Sequence, residues 1–439
     1  MTQSRDTICA LASGPPPAAI ATLRLSGPDV QSIIGKRLSK PALTPRRAML
    51  VELFSESGET IDKGLAVFMP GPGSYTGEDT LEITLHGGRM IIELALKSLM
   101  SAGARLADPG EYTRRAFEAG KLDLTRAEAV ADLIDAESEA QLGQALRQMG
   151  GALEILYSDW RVQMTECLAL LEASIDFPDE EDAPDRVDGP VAEKIKKLIE
   201  ALDLALTEGN ITERIRDGFR VAILGKPNAG KSTLLNQLAK REAAIVTDIP
   251  GTTRDVVEVR LTLGGYLVWI SDTAGLRETD DIVEAEGVRR ARQAGAEADL
   301  RIWMFDAREP IEDDLVQPGD IVVVNKSDLV SPDVSRETLL ISAKEGKGVE
   351  RVEASIVDRL SGLTANLSAP MITRARHRQG IERAKTHLNI ALDHLNMGMG
   401  AEFTAEEVRL ASRELGAQTG HVETEMVLGA VFSSFCIGK

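Results

Sequence analysis

Phe219-Arg-Val-Ala-Ile-Leu224, then Gly225-Lys-Pro-Asn-Ala-Gly-Lys-Ser232, then Thr233-Leu-Leu-Asn-Gln-Leu238 is the stretch that decides the fold. An apolar run of strand length passes into GxxxxGK[ST] and then into helical spacing. Glycines in such a loop let backbone N–H groups curl around phosphates, and the helix N-terminus that follows favours negative charge. Asn228, Ala229, Gly230 and Thr233 belong to this cradle. Lys231 is expected to reach the β and γ phosphates, and Ser232 to ligate Mg²⁺.

Three further motifs follow in order. Asp272-Thr273-Ala274-Gly275 comes after the apolar run Leu267–Ile270. There the aspartate suits the Mg²⁺ shell and the Gly275 N–H suits a γ phosphate. Asn325-Lys326-Ser327-Asp328 comes after Asp320-Ile-Val-Val-Val324. Asp328 can accept from both the ring N–H and the exocyclic amine of guanine, a pair that adenine lacks, so such a site rejects the wrong base strongly. Ser342-Ala343-Lys344 supplies a supporting loop near the base. With Leu300-Arg-Ile-Trp-Met-Phe305 as a further strand and Glu284–Ala298 as helix, the region reads as an α/β GTP-binding layout.

Small regulatory GTPases orient the attacking water with a glutamine directly after DxxG. That position is Leu276 here, so the catalytic parts come from elsewhere. Thr247-Asp248-Ile249-Pro250-Gly251-Thr252-Thr253-Arg254-Asp255 forms a switch-like segment in which Thr253 is a Mg²⁺ ligand candidate. Its carbonyls and the Asn228 side chain can ring a monovalent cation, which would replace the charge of an arginine finger. Asn228 reads equally as a stabiliser of its own loop. Glu284 reads either as a water-polarising group or as a solvated carboxylate, and Arg254 as a switch contact.

Around this core the 439 residues are 43% hydrophobic and 27% charged, ordinary for a globular protein of two to four domains. A net charge of −19 excludes a surface that grips phosphate backbones throughout. The run Arg374-Ala-Arg-His-Arg378 reads as a solvated helix start, with a basic patch as the alternative. Cys9, Cys167 and Cys436 lie far apart with no metal-ligand spacing, so a reducing cytoplasmic setting is expected. No apolar run is long enough for a membrane span, and no secretory leader is evident.

Residues 1 to about 118 mix β-rich runs with turns. Helical stripes follow, at Val130, Leu133, Ile134, Leu142, Leu146 and Met149, and again at Leu153, Leu156, Trp160, Met164, Leu168, Leu171 and Ile175. Asp176 to Asp188 reads as a loop; Ile195, Leu198, Leu202 and Leu206 mark another helix. Helical texture returns from Thr373 to Phe435. The expected fold is an α/β P-loop GTPase domain inserted into an all-α helical domain, preceded by an α+β domain. Its segments are 1–119, 120–216 and 217–367, with 368–439 as the second helical part.

These residues resemble the MnmE (TrmE) family of tRNA-modification GTPases over essentially the whole chain. The resemblance rests on Asp6-Thr-Ile8, Leu23-Arg-Leu-Ser-Gly27, Ser74-Tyr-Thr-Gly-Glu-Asp79 and His86-Gly-Gly88. It extends to Pro109-Gly-Glu-Tyr-Thr-Arg-Arg-Ala-Phe117, Gly120-Lys-Leu-Asp-Leu124 and Phe435-Cys-Ile-Gly-Lys439. It implies a homodimer with an N-terminal folate-binding and dimerisation domain. It implies K⁺ held by Asn228 and the carbonyls of Thr247, Ile249 and Thr252, and Glu284 as the catalytic carboxylate. It implies a heterotetramer or larger complex with a flavin-dependent MnmG-type partner that supplies most of the tRNA grip. The reaction it implies modifies C5 of the wobble uridine, using the one-carbon unit of 5-formyl- or methylene-tetrahydrofolate. Folate would lie near Arg24, Glu82, Lys121 and Lys439, with Glu82 accepting from the pterin edge and the cations facing the glutamate tail. One segment departs from the family pattern: Ser13-Gly-Pro-Pro-Pro-Ala-Ala-Ile-Ala21 is stiffer and lacks the usual arginine. A ribosome-assembly GTPase and a slow nucleotide-gated scaffold are the alternative readings.

Overall fold

A computed structural model describes residues 6–176, 188–241, 257–272, 295–311, 316–330, 338–365, 367, 372–420, 425–433, 435 and 438. The chain divides into two compact units, Met1–Ala131 with Leu415–Lys439, and Asp132–Glu414.

The first unit is built on a six-stranded sheet. Its strands are β1 (Ile8–Leu11), β2 (Ala18–Ser26), β3 (Met49–Phe54), β4 (Thr60–Met69), β5 (Thr80–Gly87) and β6 (Arg105–Leu106), in the order β3-β4-β5-β2-β1-β6. All neighbours are antiparallel except β1 and β6. Alternation along β2 and β5 buries Leu23, Leu25, Leu81 and Ile83 with Ile33 of α1 (Val30–Arg37) and Leu99 of α2 (Arg89–Ser101). A side-chain period of two sends Arg24 and Glu82 to the other face. There they are direct cross-strand partners in the β2/β5 ladder.

Beside this sheet lies α3 (Glu111–Glu118). Gly110, at φ +68°, lets the chain enter α3 within contact of the C-terminal helix Glu425–Ser433; a Cβ there would stand 2.7 Å from the Phe432 carbonyl. Leu124 and Ala127 of α4 (Leu124–Asp135) bury Leu428, Val431, Phe432 and Phe435. The C-terminal segment is thus part of the first unit's core.

The second unit contains another six-stranded sheet. It comprises β7 (Phe219–Leu224), β8 (Val257–Leu263), β9 (Tyr266–Asp272), β10 (Leu300–Asp306), β11 (Ile321–Asn325) and β12 (Leu339–Leu340), ordered β12-β11-β10-β7-β9-β8. Pairing is parallel except for the β8–β9 hairpin. Gly264 and Gly265, both at positive φ, make its two-residue turn. Buried Val221, Ile223, Ile270, Ile302 and Val323 form the centre, with Leu234 and Leu235 of α8 (Lys231–Arg241) and Val352 and Ile356 of the helix Val349–Thr364. Four of these strands match the expected apolar runs. The expected helix Glu284–Ala298 and loop Asp176–Asp188 lie almost wholly outside the described residues.

Long helices complete the unit: α5 (Glu139–Met149), α6 (Ala152–Asp176), α7 (Asp188–Asp217), Ala375–Asn396 and Ala401–Thr419, whose last residues pass into the first unit. The stripe on α6 differs from the expected one. Leu153, Tyr157, Trp160, Met164, Cys167 and Leu171 are buried, so Tyr157 and Cys167 take the places assigned to Leu156 and Leu168. Tyr157 packs edge-on against Trp160 and against the ring of His377.

On α5 the expected apolar stripe points outward. Leu142 and Leu146 are exposed, while Gln141, Gln144, Ala145 and Gln148 are buried. The reason is polar: Gln141 Nε2 donates to Arg216 O (2.7 Å) and Gln144 Nε2 to Thr212 O (3.0 Å), satisfying carbonyls in the last turns of α7. The start of α5 also meets the hairpin turn, with Ala140 N–H donating to Gly265 O (3.0 Å) and Arg260 paired with Glu137 (2.9 Å).

The basic run at 374–378 is turned inward. Arg374 pairs with Asp132 (2.7 Å), Arg378 with Glu213 (2.9 Å), and His377 is fully buried. The run does open a helix, Ala375–Asn396, as expected, but two of its three arginines are held by carboxylates rather than left to solvent. Among the described residues no helix is long and apolar enough to cross a membrane.

Candidate functional site

The carboxyl end of the parallel sheet in the second unit carries the phosphate loop. Gly225 stands at φ +143°, and a Cβ there would lie 2.2 Å from the Met304 carbonyl of β10, so only glycine lets the loop leave β7 beside that strand. Gly230, at φ +101°, is as tightly placed; its Cβ would meet Asn325 Nδ2 at 2.2 Å. Lys231 opens α8 with its side chain buried, and its ammonium reaches back across the loop to Gly225 O (2.7 Å) and Lys226 O (2.8 Å). Ser232 and Thr233 are exposed in the first turn of the same helix, and Asn228 is exposed at the loop's tip.

Asn325 ends β11 at 3% exposure and acts as a rivet. Its amide donates to Ala229 O (2.8 Å) in the phosphate loop and its carbonyl accepts from Ala343 N–H (2.9 Å) in the Ser-Ala-Lys loop. Ser327 N–H donates to Ile341 O (3.1 Å), and Gln237 of α8 donates to Ala343 O (3.0 Å). Lys326 Nζ donates to Asn228 O (2.8 Å). Asp328 is exposed at the rim, where the Ser342 hydroxyl donates to it. That bond, with Lys344 and Lys347 nearby, holds its carboxyl below the usual range. A carboxylate ionised at every working pH is what a reader of guanine's paired donors requires.

One open cavity, about 530 Å³, is lined by Asn228, Gly230, Lys231, Ser232 and Thr233 on one side and by Asn325, Lys326, Asp328 and Lys344 on the other. Phosphate and base motifs more than ninety residues apart therefore share one site. Asp272 closes β9 opposite Ile223 of β7, one strand from the phosphate loop. Thr247, Asp248, Ile249, Pro250, Gly251, Thr252, Thr253, Thr273, Ala274, Gly275 and Glu284 lie outside the described residues. The sequence reading missed Asp306, which ends β10 as Asp272 ends β9 and Asn325 ends β11. A polar residue closing an apolar strand was the available signal.

In the first unit the structure brings Arg24 and Glu82 together, with Nε and Nη2 of Arg24 2.9 and 2.7 Å from Glu82 Oε1. The guanidinium also lies 6.0 and 5.7 Å from the ring centres of Tyr75 and Tyr112. The stem of Lys121 rests beside Gly77, whose Cβ would meet Lys121 Cε at 3.2 Å. Beneath them a buried network links Arg115 to Glu78 (2.9 Å) and Glu111 (2.8 Å), and Ser26 to Glu78 (2.8 Å). Gly438 abuts Leu11 of β1, where its Cβ would lie 2.1 Å from Leu11 O. Lys439 itself is outside the described residues. At the segment that departs from the family pattern, Ser13 Oγ accepts from Thr22 N–H (3.1 Å), pinning the loop to β2.

Two family models match the chain: the MnmE helical domain over residues 124–436, and the GTP-binding protein TrmE N-terminus over residues 7–121. A relative from Hyphomonas neptunium named tRNA modification GTPase MnmE is 54% identical over 442 residues, covering 99% of this chain and all of the relative. Relatives of the same name from Parvibaculum lavamentivorans and Caulobacter vibrioides are 48% and 44% identical, each over 99% of this chain and 100% of their own length. With both family models matched in sequence order and full-length likeness to proteins of one name, the chain belongs to the MnmE family.

Proposed function

We infer that this chain is a GTP hydrolase acting in tRNA modification, with its P-loop domain inserted into the helical domain. The observation that carries the reading is the shared cavity, in which a phosphate cradle faces an ionised Asp328 across a distance spanned by Lys326 and Asn325. Adenine offers no donor pair to that carboxylate.

Mg²⁺ suits the donor set: the Ser232 hydroxyl at the start of α8, beside Lys231, with Asp272 ending the neighbouring strand and Thr253 from the switch segment. The ion would neutralise charge on the β and γ oxygens. K⁺ would be held by Asn228 and the carbonyls of Thr247, Ile249 and Thr252, supplying positive charge beside the phosphates. Glu284 would polarise the attacking water in place of the glutamine that Leu276 replaces.

The wider reading is a cytoplasmic homodimer. It works with a flavin-dependent MnmG-type partner on C5 of the wobble uridine, and the tRNA is held mostly by that partner. The pairing of Arg374 and Arg378 with carboxylates and the acidic net charge support that division of labour. Tetrahydrofolate, when bound, would supply the one-carbon unit. Arg24, Glu82 and Lys121, with the exposed Tyr75 ring near the guanidinium, have the charges and the flat surface a pterin with a glutamate tail needs.

Titration with GDP and ADP and turnover in KCl and NaCl test this. GDP preference and faster hydrolysis in K⁺ are expected, and Glu284→Ala should slow turnover while leaving GDP affinity intact. Equal turnover in both salts would remove K⁺ from the mechanism. Normal wobble uridines in cells lacking the chain would overturn the pathway while sparing the GTPase.

A further inference from the structure

Three strands of this sheet end in a polar residue: β9 in Asp272, β11 in Asn325, which lines the nucleotide cavity, and β10 in Asp306. The first two belong to nucleotide motifs; Asp306 belongs to none. Asp306 pairs in register with Asn325, so its side chain stands one residue from Lys326. It is 7% exposed and ringed by donors. Arg308 forks onto it, Nε to Oδ1 at 2.9 Å and Nη2 to Oδ2 at 2.7 Å, and the Arg308 N–H adds a bond at 3.1 Å. Lys326 Nζ donates to Oδ2 at 2.7 Å.

The same Lys326 ammonium donates to the Asn228 carbonyl at 2.8 Å. Lys326 and Asn228 stand at φ +65° and +62°. That region is unfavourable for residues bearing a Cβ, and among the described residues only Arg46 shares it without being glycine. Two left-handed residues, one in the base loop and one in the phosphate loop, are therefore joined by a single ammonium. The Lys326 side chain is 26% exposed, so holding its ammonium in this bridging position takes an anion in fixed geometry beside it. Asp306 is that anion, and the Arg308 fork stops its carboxylate from rotating away.

We propose that Asp306 is a positioning residue of the nucleotide site, holding the Lys326 ammonium under the Asn228 carbonyl so that the base loop and the phosphate loop form one rigid frame. The inference rests on the guanine reading of this cavity. Asp306 acts through Lys326 and touches no reacting atom. Loss of its charge should leave Lys326 mobile and let base and phosphates be gripped by two loosely related loops.

The test is release of a fluorescent GDP analogue from the full chain in a double-mutant cycle of Asp306→Asn and Lys326→Ala. Asp306→Asn should speed release about tenfold, equivalent to roughly 1.4 kcal/mol. In the Lys326→Ala background the same change should add less than about twofold, because the group it acts through is gone. Asp306→Glu, which keeps the charge, should recover part of the loss. Multiplying effects would mean general stabilisation and overturn the proposal, as would unaltered or tighter binding by Asp306→Asn. Should that variant fail to fold, Arg308→Ala carries the same cycle from an exposed position, with about threefold faster release expected only when Lys326 is present. Wild-type protein that preferred neither GDP nor ADP would refute the guanine reading; a clear GDP preference with an indifferent cycle refutes Asp306 alone.

Discussion

Replacing Asn325 by alanine would remove a side chain that bonds both the phosphate loop and the Ser-Ala-Lys loop. Its amide serves Ala229 O at 2.8 Å and its carbonyl serves Ala343 N–H at 2.9 Å, at a position 3% exposed. Truncation leaves a buried acceptor and a buried donor without partners, each costing about 1–3 kcal/mol. Relaxation and water entry return part of that, so the net loss is about 2–4 kcal/mol. For a unit of this size, roughly 2–4 °C per kcal/mol places the fall in its melting temperature at about 4–16 °C. GDP affinity should fall with it, since both loops line the cavity. Asn325→Asp sharpens the test. The carboxylate still accepts from Ala343 N–H but presents an acceptor to the Ala229 carbonyl, so it should be at least as damaging despite its matching shape. Calorimetry without nucleotide and GDP titration measure both quantities. A melting shift under about 2 °C with unchanged affinity, or an aspartate variant that matches wild type, would refute the rivet.

Two further outcomes follow from the first unit. Burial opposes ionisation of Glu111, but bonds from Arg105, the Asp108 N–H and Arg115 outweigh it and bring its carboxyl down to about 2. A depressed folded-state value stabilises the fold above the ordinary carboxylate range and is lost as pH falls from about 4.5 toward 2. The contribution is on the order of 2 kcal/mol after solvent screening. Urea melts at pH 7 and pH 3 should show the loss, and Glu111→Gln should flatten it; an equally steep pH dependence in the variant would assign it to other groups. Gly438→Ala would force a Cβ to 2.1 Å from Leu11 O at φ +97°. Carboxypeptidase should then remove the chain end markedly faster, with GTP turnover by the second unit retained; an equally protected tail would contradict the close docking.

The phosphate cradle was legible in the chain because its geometry is local. Glycines at Gly225 and Gly230, an apolar strand before them and a helix after them are all set by neighbours within a dozen residues. The order of the later motifs is legible for the same reason, whereas Arg24 and Glu82 are candidates only through the family resemblance. Partners across the fold were not legible. Asp306 reaches Lys326 only because β10 and β11 pair in register, and Lys326 reaches Asn228 only because β7 adjoins β10. On α5 the hydrophobic period pointed to Leu142 and Leu146, yet Gln141 and Gln144 face inward, where their amides donate to the Arg216 and Thr212 carbonyls of α7. The arginines at 374–378 carry the charge of a phosphate patch, and Asp132 and Glu213, distant in sequence, neutralise two of them. Backbone conformation answers to near neighbours, and the chain alone determined it here. Which charge meets which, and whether a polar side chain faces water or a carbonyl, depends on strand order and helix packing, and that only the tertiary structure decided.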